Sequence, residues 1–428
     1  MFKVLVISYY FPPMGLSGVQ RTLKFVKYMK DNNWEPTVIT TSSTAYYAHD
    51  NSLLEEAEKA NIKIVRAGGT EINSLLSKRG TVKMPPEFIR KFLSRLSNIF
   101  FIPDNKKGWA KSAIIKSREI LSAEDFDLIF VSAPPFSTVN MAVKLKNEFN
   151  IPLVIDYRDL WFGNHFAFYP TPVHSYLHRR MEYAALKAAD KIICTNRRMK
   201  EKIIKYYPFL TFEDIFIITH GFDPADFENL KVVKKPNNKL IITYSGIFYE
   251  YITPKFFLKA FKHLVSERPD VAADIELHFV GFLRNENRKL IKKLELQSYV
   301  VEHGYLDHET ALSKLMASDI LWMMVGRGRN DDTISSGKLY EYFGTKKPLL
   351  VSVPEGSLKN SAGEYSAAFI TEPDNIVQIK EAILKIYELY RNNNLPTPDE
   401  EFVMKHRRDF LTEQLTKQFQ FLVKEVVI

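Results

Sequence analysis

A ten-residue segment late in the chain combines small, basic and acidic residues at helical spacing: Ser335-Ser336-Gly337-Lys338-Leu339-Tyr340-Glu341-Tyr342-Phe343-Gly344. Either serine can cap a short helix, and Gly344 can end it. The N-terminus of such a helix favours a diphosphate, and Lys338 adds a cation. Glu341 follows on the same helix face, where its carboxylate can accept hydrogen bonds from ribose hydroxyls. The alternative is an ordinary capped helix with a surface Lys–Glu pair.

A glycine-containing loop follows the first apolar run of the chain. It carries Gly15 and Gly18, between the predicted strand Lys3–Ser8 and a predicted helix over Val19–Lys30. Such a turn offers backbone N–H groups to a phosphate or to another closely approaching ligand. The full G-x-G-x-x-G pattern is missing, so the sequence carries no dinucleotide fingerprint. A plain connecting turn is the alternative.

Three charged residues end another buried strand, in the run Asp156-Tyr157-Arg158-Asp159-Leu160-Trp161. The carboxyl ends of parallel strands are where open α/β enzymes place their chemistry. We predict that Asp159 orients or deprotonates an acceptor group, with Arg158 as its partner or as a phosphate contact. The alternative is an Arg–Asp pair that only ties two loops together.

The elements that must position these residues alternate between strand and helix patterns in both halves of the chain. This alternation predicts βαβ units and parallel sheets. The segment 223–238 has prolines without an apolar period and is predicted to be a linker. We therefore predict an α/β protein with two Rossmann-like domains, 1–222 and 239–398, facing across a ligand cleft, and a last helix within 399–428, from about Glu401 to Lys424. The predicted strands are 3–8, 36–41, 62–66, 128–132, 153–156, 191–195, 215–219, 240–245, 275–280, 300–303, 320–325, 348–352 and 368–371.

The chain has 428 residues and a formal net charge of +9, and the positive excess is concentrated in one segment. Residues 76–118 hold 11 basic and two acidic side chains. One local patch is not typical of a protein that binds nucleic acid over its whole surface. The range 86–103 is predicted to form a basic amphipathic helix, suited either to an anionic membrane surface or to packing on its own domain with a solvated basic face. The patch residues are Phe88, Arg90, Lys91, Phe92 and Arg95.

The single cysteine, Cys194, excludes an internal disulfide, so we expect a reducing compartment. No apolar stretch reaches about 18 residues, and the first apolar run is too short for a signal peptide. There is no zinc-ligand set at a familiar spacing, no G-x-S-x-G and no Walker motif. We expect a cytoplasmic protein, peripheral on the inner membrane face if its basic helix binds lipid.

Six short motifs stand in a recognisable order along the chain. They are Ser8-Tyr9-Tyr10-Phe11-Pro12-Pro13 with Gly15 and Gly18-Val19-Gln20-Arg21, Pro103-Asp104 with Trp109, Ala133-Pro134-Pro135, the Asp156–Trp161 run, His220-Gly221-Phe222-Asp223, and the Gly337–Tyr342 run. Together they resemble glycosyltransferase family 4, a family of GT-B fold, almost from end to end.

The resemblance implies retaining transfer of a sugar from a nucleotide-sugar, without a metal. It places the donor mainly on the C-terminal domain and the acceptor on the N-terminal one, and it implies that the final helix crosses back to the N-terminal domain. Glu341 matches the glutamate that holds the donor ribose. The other implied donor contacts are Gly337, Lys338 and Leu339 at the diphosphate, Gly15 and Gly18 near the transferred sugar, Tyr305 and Leu306 at the nucleobase, and the loop that begins at Gly246.

The sequence departs from the family pattern at three places. The family pairs Glu341 with a second glutamate eight positions earlier, where this chain has Thr333. Arg158 and Asp159 occupy a region where many members have a histidine. The usual arginine and lysine are missing from residues 246–252, and only Lys255 is near. We expect the donor phosphates to be neutralised by Lys338, Arg327 or Arg329 instead.

These observations lead us to expect a hexosyltransferase that uses a UDP- or GDP-sugar and a glycan or lipid-linked acceptor in surface-polysaccharide synthesis. The nucleotide-sugar is a substrate, and neither a cofactor nor a metal is expected. One alternative is another GT-B-like enzyme, an epimerase or a phosphorylase. The other is an inactive binding protein of the same fold, which the missing cations would allow.

Overall fold

The computed structural model describes residues 1–15, 17–42, 46, 48–69, 87–228, 230–231, 234–235 and 237–425. The chain divides into two compact units. The first combines Met1–His220 with Arg408–Ile428, and the second is Gly221–Arg407. The described part of the segment predicted to be a linker, 223–238, therefore belongs to the second unit, where Ala225–Glu228 forms a helical turn.

The first unit is built on a seven-stranded sheet whose paired strands are all parallel, in the order β3-β2-β1-β4-β5-β6-β7. The strands are β1 (Phe2–Ile7), β2 (Trp34–Thr41), β3 (Lys63–Ala67), β4 (Leu128–Ala133), β5 (Leu153–Tyr157), β6 (Lys191–Cys194) and β7 (Ile215–Ile217). The described helices between them are Ser17–Met29, Asn51–Lys59, Glu87–Phe100, Lys107–Ala123, Ser137–Phe149, Pro172–Ala188 and Arg197–Tyr206.

The second unit has a six-stranded sheet, also parallel throughout, in the order β10-β9-β8-β11-β12-β13. The strands are β8 (Leu240–Ser245), β9 (Ile275–Val280), β10 (Val300–Gly304), β11 (Ile320–Met324), β12 (Leu349–Ser352) and β13 (Ala368–Thr371). The described helices of two turns or more are Lys255–Glu267, Asn285–Lys293, His308–Met316, Gly337–Thr345, Ser357–Glu364 and Ile376–Arg391.

In each sheet the strand order reverses at one strand, so that successive strands are added on its other side. In the first sheet β1 lies between β2 and β4, and in the second β8 lies between β9 and β11. Ligands of open α/β sheets bind at the carboxyl end of the strands where this reversal occurs. The fold therefore predicts ligand binding at two loops, the one after β1, which begins at Ser8, and the one after β8, which begins at Gly246.

The alternation predicted from the sequence is confirmed. All 13 predicted strands are present, with each end within two residues of the predicted one. The apolar runs were easy to recognise because helices cover both faces of a parallel sheet, so its strands are apolar on both sides. Every residue of Leu128–Ala133 is buried, for example.

The single last helix predicted over Glu401–Lys424 is wrong, because two helices, Glu400–Met404 and Arg408–Glu425, occupy this range. Phe402 and Val403 are buried in the core of the second unit, whereas Leu411, Leu415 and Phe419 are buried in the core of the first. The Phe419 ring lies 5.2 Å from that of Trp34. A break between the helices lets each one bury its apolar residues in its own core, and the final helix returns to the first unit as expected.

None of the described helices has the length and the apolar composition that are needed to cross a membrane.

Candidate active site

Three neighbouring strands of the second sheet end in glycine at their carboxyl edge. Gly246 follows β8 with φ 127°, Gly281 follows β9 with φ 122°, and Gly304 ends β10 with φ 71°. The amide of Gly246 donates to the carbonyl of Val280 and that of Gly281 to the carbonyl of Gly304, both at 2.7 Å. A Cβ atom on Gly281 would lie 2.4 Å from the Gly246 oxygen. We call Gly246, Gly281 and Gly304 the glycine edge. The missing Cβ lets Gly246 approach Gly281 and lets Lys338 approach Gly246, whereas the space beside Gly304 is open, with no atom within 4 Å of a Cβ placed there.

Lys338 places its ammonium group against the glycine edge. Its Nζ lies 3.9 Å from the centre of the Tyr244 ring, and a Cβ atom on Gly246 would come within 2.6 Å of it. The helix that carries it, Gly337–Thr345, is anchored here because the amide of Ser245 donates to Tyr342 Oη at 2.9 Å. Burial lowers the pKa of Lys338 to about 7, although the nearby Glu341 opposes this shift.

Glu341 lies one turn further along the same helix, and its side chain is 29% exposed. Its Oε1 accepts a hydrogen bond from His308 Nε2 at 2.8 Å. On the other side of the imidazole ring, Nδ1 lies 3.9 Å from Asp226 Oδ2. The carboxylate is therefore held by a histidine while part of it remains accessible to solvent.

An aromatic pair stands beside the glycine edge. Phe282 directly follows Gly281, and Tyr305 directly follows Gly304. Their rings are stacked, with centroids 5.2 Å apart and an angle of 12° between the planes. Leu306, the second residue predicted to lie near a nucleobase, is half-buried.

Arg327 follows β11 and is 52% exposed. Its guanidinium is paired with the carboxylates of Glu372 and Asp374, which already balance its charge. Lys338, by contrast, contacts Gly246 at the start of the loop from which the family's cations are missing. Arg329, the third cation predicted to face the phosphates, is exposed. Of the three, Lys338 is the one that the structure places beside the glycine edge.

The ends of the Gly337–Thr345 helix differ from the prediction. Ser336 occupies the N-cap position, but its side chain makes no capping hydrogen bond. Gly344 lies inside the helix, where a Cβ atom would come within 2.6 Å of the Phe222 ring. The helix ends at Lys346, which adopts the left-handed conformation with φ 56°. Gly344 thus serves close packing rather than termination, because only a residue without a side chain fits against Phe222.

In the first unit, Arg158 binds backbone carbonyls. Its guanidinium donates to the carbonyl oxygens of Gly18 and Pro134, and its Nε donates to that of Ala133 at 3.4 Å. No described hydrogen bond joins it to Asp159, which is half-buried. Arg158 therefore ties the first turn of one helix to the end of β4. The catalytic role that we assign to Arg158 and Asp159 stays a prediction.

The structure contains an Arg–Asp pair at this run, as in the alternative interpretation, but the arginine that pairs with Asp156 is Arg21 and not Arg158. Arg21 Nη2 lies 2.8 Å from Asp156 Oδ1, and both side chains are buried. Arg21 also donates to the carbonyls of Ile218 and Thr219, at 3.0 and 2.7 Å. A bidentate pair inside the protein joins β5 to the helix Ser17–Met29, which is a structural role.

The loop that carries Asp159 is fixed by a buried glutamate that the sequence did not reveal. Glu182 accepts hydrogen bonds from the amide of Phe162 at 2.7 Å and from Tyr207 Oη at 2.8 Å. Burial raises the pKa of Glu182 to about 7, against the effect of these hydrogen bonds. It holds the backbone three residues beyond Asp159.

The glycine loop of the first unit is anchored at both glycines. The amide of Gly15 donates to the carbonyl of Ala48 at 2.9 Å. Gly18 lies in the first turn of the Ser17–Met29 helix, and its carbonyl is held by Arg158. Leu16, between them, lies outside the described residues.

The predicted amphipathic helix is present over Glu87–Phe100 and buries none of its residues. Phe88 is 73% exposed and Phe92 62%. Arg90 pairs with Glu87 at 2.9 Å, Lys91 lies 4.0 Å from the same carboxylate, and Arg95 lies 5.5 Å from the Phe168 ring. The part of the basic segment before residue 87, which includes Lys78, Arg79 and Lys83, lies outside the described residues.

Comparisons with known proteins identify the family and the fold. The model of Glycosyltransferase Family 4 matches residues 17–226. The chain belongs to glycosyltransferase family 4. No sequence among the curated proteins matches it significantly.

Solved structures show that this family 4 protein has the GT-B fold. A glycosyltransferase from Rickettsia africae is 15% identical, with a TM-score of 0.62 and 99% of each chain covered. Sucrose-phosphate synthase from Thermosynechococcus elongatus is 13% identical, with a TM-score of 0.65 over 99% of this chain and 100% of that one. HepE of Anabaena, solved in complex with UDP, is 13% identical, with a TM-score of 0.57 over 100% and 98%.

The structure also explains one departure from the family 4 pattern. Thr333, which replaces the first glutamate of the family's pair, is 2% exposed, and its hydroxyl donates to the carbonyl of Asn330 at 2.9 Å. A buried hydroxyl that is used in this way provides no carboxylate. At this position the chain therefore has no second carboxylate to accompany Glu341.

Sequence reasoning missed Tyr244, Phe282 and His308, which contact the predicted site residues. Tyr244 lies inside an apolar strand, where an aromatic residue predicts burial and nothing more. His308 is 33 residues from Glu341 along the chain. Its place two residues after Leu306, in the predicted nucleobase segment, was the only available signal.

Replacing Arg158 by methionine should destabilise the first unit. The variant removes the buried guanidinium donor of the Gly18 and Pro134 carbonyls, while the Ala133 carbonyl still accepts from the backbone amide of residue 158 at 3.0 Å. We expect this loss to lower the free energy of unfolding by about 2–4 kcal/mol. Urea unfolding followed by circular dichroism measures this change. Arg198→Met, at an exposed helical position, is the matched control. Equal stability of the two variants would contradict the structural role.

Proposed function

We propose that this family 4 protein transfers a sugar from a UDP- or GDP-sugar to a glycan or lipid-linked acceptor with retention of configuration, and that it needs no metal. The proposal is carried by one observation: Lys338 and Glu341 stand on one helix beside the glycine edge. A cation for the diphosphate and an acceptor for ribose hydroxyls are thus side by side. The complex of HepE with UDP supports a nucleotide donor for this fold.

In this proposal each donor group has a partner in the second unit. The nucleobase contacts backbone groups of Tyr305 and Leu306, Glu341 accepts from the ribose, and the diphosphate contacts the turn at Gly337 and Leu339. Negative charge collects on the nucleoside diphosphate as it departs, and the fixed Lys338 ammonium stabilises that charge more than it stabilises the bound donor. Asp159 orients or deprotonates the acceptor hydroxyl.

A thermal-shift screen of UDP-, GDP- and ADP-sugars tests the proposal. The correct donor raises the unfolding temperature because it binds the folded state alone. Free nucleotide is then measured with candidate acceptors. Acceptor-dependent release of the nucleoside diphosphate supports a transferase. A sugar phosphate formed from inorganic phosphate indicates a phosphorylase, an altered donor sugar indicates an epimerase, and donor binding without turnover indicates an inactive binding protein.

We further propose that the acceptor is lipid-linked and reached at the inner membrane face from the cytoplasm. The exposed phenylalanines of the Glu87–Phe100 helix are continued by exposed apolar residues of a neighbouring segment. His174 Nε2 lies 3.1 Å from the carbonyl oxygen of Ile99, which brings the two elements together. The exposed residues of that segment are Phe166, Phe168, Val173 and Tyr176.

Replacing Phe88 and Phe92 by serine should weaken binding to vesicles that contain anionic lipid by about tenfold or more. Each phenylalanine that enters the interface contributes about 1–2 kcal/mol. Flotation of the protein with vesicles, at several fractions of anionic lipid, measures the effect. Phe421→Ser, at a residue that is 62% exposed on the final helix, is the control. Flotation that is independent of anionic lipid would rule out the proposed surface.

A further inference from the structure

His308 stands between two carboxylates in the second unit. Its Nε2 contacts Glu341 Oε1 at 2.8 Å, and its Nδ1 lies 3.9 Å from Asp226 Oδ2. An ionised carboxylate only accepts hydrogen bonds, so Nε2 carries the proton of the shorter contact. The imidazole side chain is 16% exposed, which makes this contact well shielded from water.

The backbone on either side of His308 is also fixed. Asp307 caps the His308–Met316 helix, since its Oδ1 accepts from the amide of Thr310 at 2.9 Å. Tyr305, three residues before His308, is stacked on Phe282. The imidazole ring that binds Glu341 therefore belongs to the same short segment as Tyr305, one member of the aromatic pair beside the glycine edge.

A glutamate that binds a ribose must keep one orientation, although its side chain has three rotatable bonds. A hydrogen bond from His308 to Oε1 removes that freedom before a ligand arrives and leaves Oε2 able to accept from a hydroxyl. Preorganisation of this kind increases affinity because less conformational entropy is lost on binding.

We propose that His308 is a positioning residue for the donor ribose, acting through Glu341 with Asp226 behind it. This inference rests on the proposed function, because it assumes that Glu341 accepts from ribose hydroxyls. It adds a residue whose effect is specific to the sugar hydroxyls of the nucleotide.

The test compares His308→Leu with His308→Gln by calorimetric titration of UDP and of GDP, each alongside its 2′,3′-dideoxy analogue. The leucine variant should bind the nucleotide that the wild-type protein prefers about tenfold more weakly. The glutamine variant should stay within about threefold of wild type, because its amide can donate to Glu341. Affinity for the dideoxy analogue should be equal in all three proteins, because this nucleotide has no hydroxyl for Glu341 to bind. His263→Leu, at an exposed helical position, is the control.

The outcomes separate the two proposals. If neither UDP nor GDP binds the wild-type protein, the proposed function fails and this inference with it. If Glu341→Gln weakens binding of the nucleotide but His308→Leu does not, only the positioning role is overturned. An equal loss of affinity for the nucleotide and its dideoxy analogue would likewise overturn it, since that pattern indicates general damage to the fold.

Discussion

Replacing Glu341 by alanine will weaken binding of the donor nucleotide by about 30- to 150-fold. The variant removes a charged acceptor from the ribose hydroxyls, and such hydrogen bonds contribute about 2–3 kcal/mol together. It also removes the acceptor of the 2.8 Å hydrogen bond that His308 Nε2 donates in the wild-type protein. Calorimetric titration with UDP and GDP measures the loss. In turnover assays the same change should appear mainly as a higher KM for the donor.

Two further variants test whether the loss of affinity is specific to the Glu341 carboxylate. Glu341→Gln keeps the shape and one acceptor oxygen, so its affinity should lie between those of the alanine variant and the wild type. Glu381→Ala, on an exposed helical position of the same unit, should bind the nucleotide normally. If Glu341→Ala binds the nucleotide as tightly as the wild type, the ribose assignment is wrong.

Replacing Lys338 by methionine should abolish detectable donor binding and yet make the protein more stable. Lys338 is the described cation that contacts the glycine edge, so its loss leaves the diphosphate without a counter-charge there. The same lysine is costly to the folded state, because burial lowers its pKa to about 7. Methionine has a similar length and no charge, so we expect a gain of roughly 1–2 kcal/mol in the free energy of unfolding at pH 6.

The pH dependence of this gain has a definite sign. The pKa of Lys338 is about 7 in the folded protein and 10.5 in the unfolded chain, so the unfolded state binds more protons between these values. Wild-type stability due to this residue therefore rises with pH from about 7 to 10.5, and the advantage of the methionine variant shrinks over the same range. Urea unfolding at pH 6, 8 and 10 measures it. Lys289→Met, at an exposed position, should show no such trend.

The affinity of the wild-type protein for the donor should fall as the pH rises, whereas the stability due to Lys338 increases. Above about pH 7 the free enzyme must take up a proton at Lys338 to bind the diphosphate, so the affinity of the wild-type protein falls by up to about tenfold per pH unit. A constant affinity from pH 6 to 9, or a methionine variant that still binds the nucleotide, would show that another cation neutralises the diphosphate.

The sequence by itself was enough to predict the strands of both sheets and the family. Apolar runs such as Leu128–Ala133 predict buried parallel strands because the pattern is local and covers both faces of the sheet. The Gly337–Tyr342 run also showed that a cation and a carboxylate share one helix face, since that follows from helical spacing alone. The ends of this helix were harder to predict, because Gly344 is required by a ring from a distant segment rather than by helix termination.

Only the tertiary structure decided which groups meet. Lys338 lies against Gly246, 92 positions earlier in the sequence, and Glu341 is held by His308. Arg158 turned out to bind backbone carbonyls, while Asp156 pairs with Arg21. The spacing of apolar residues shows which face of a helix or strand is buried. It does not show which elements pack together or how a long polar side chain is oriented. The contacts between elements and the orientations of long side chains depend on strand order and on close packing at the carboxyl edge of each sheet. Both are properties of the folded chain.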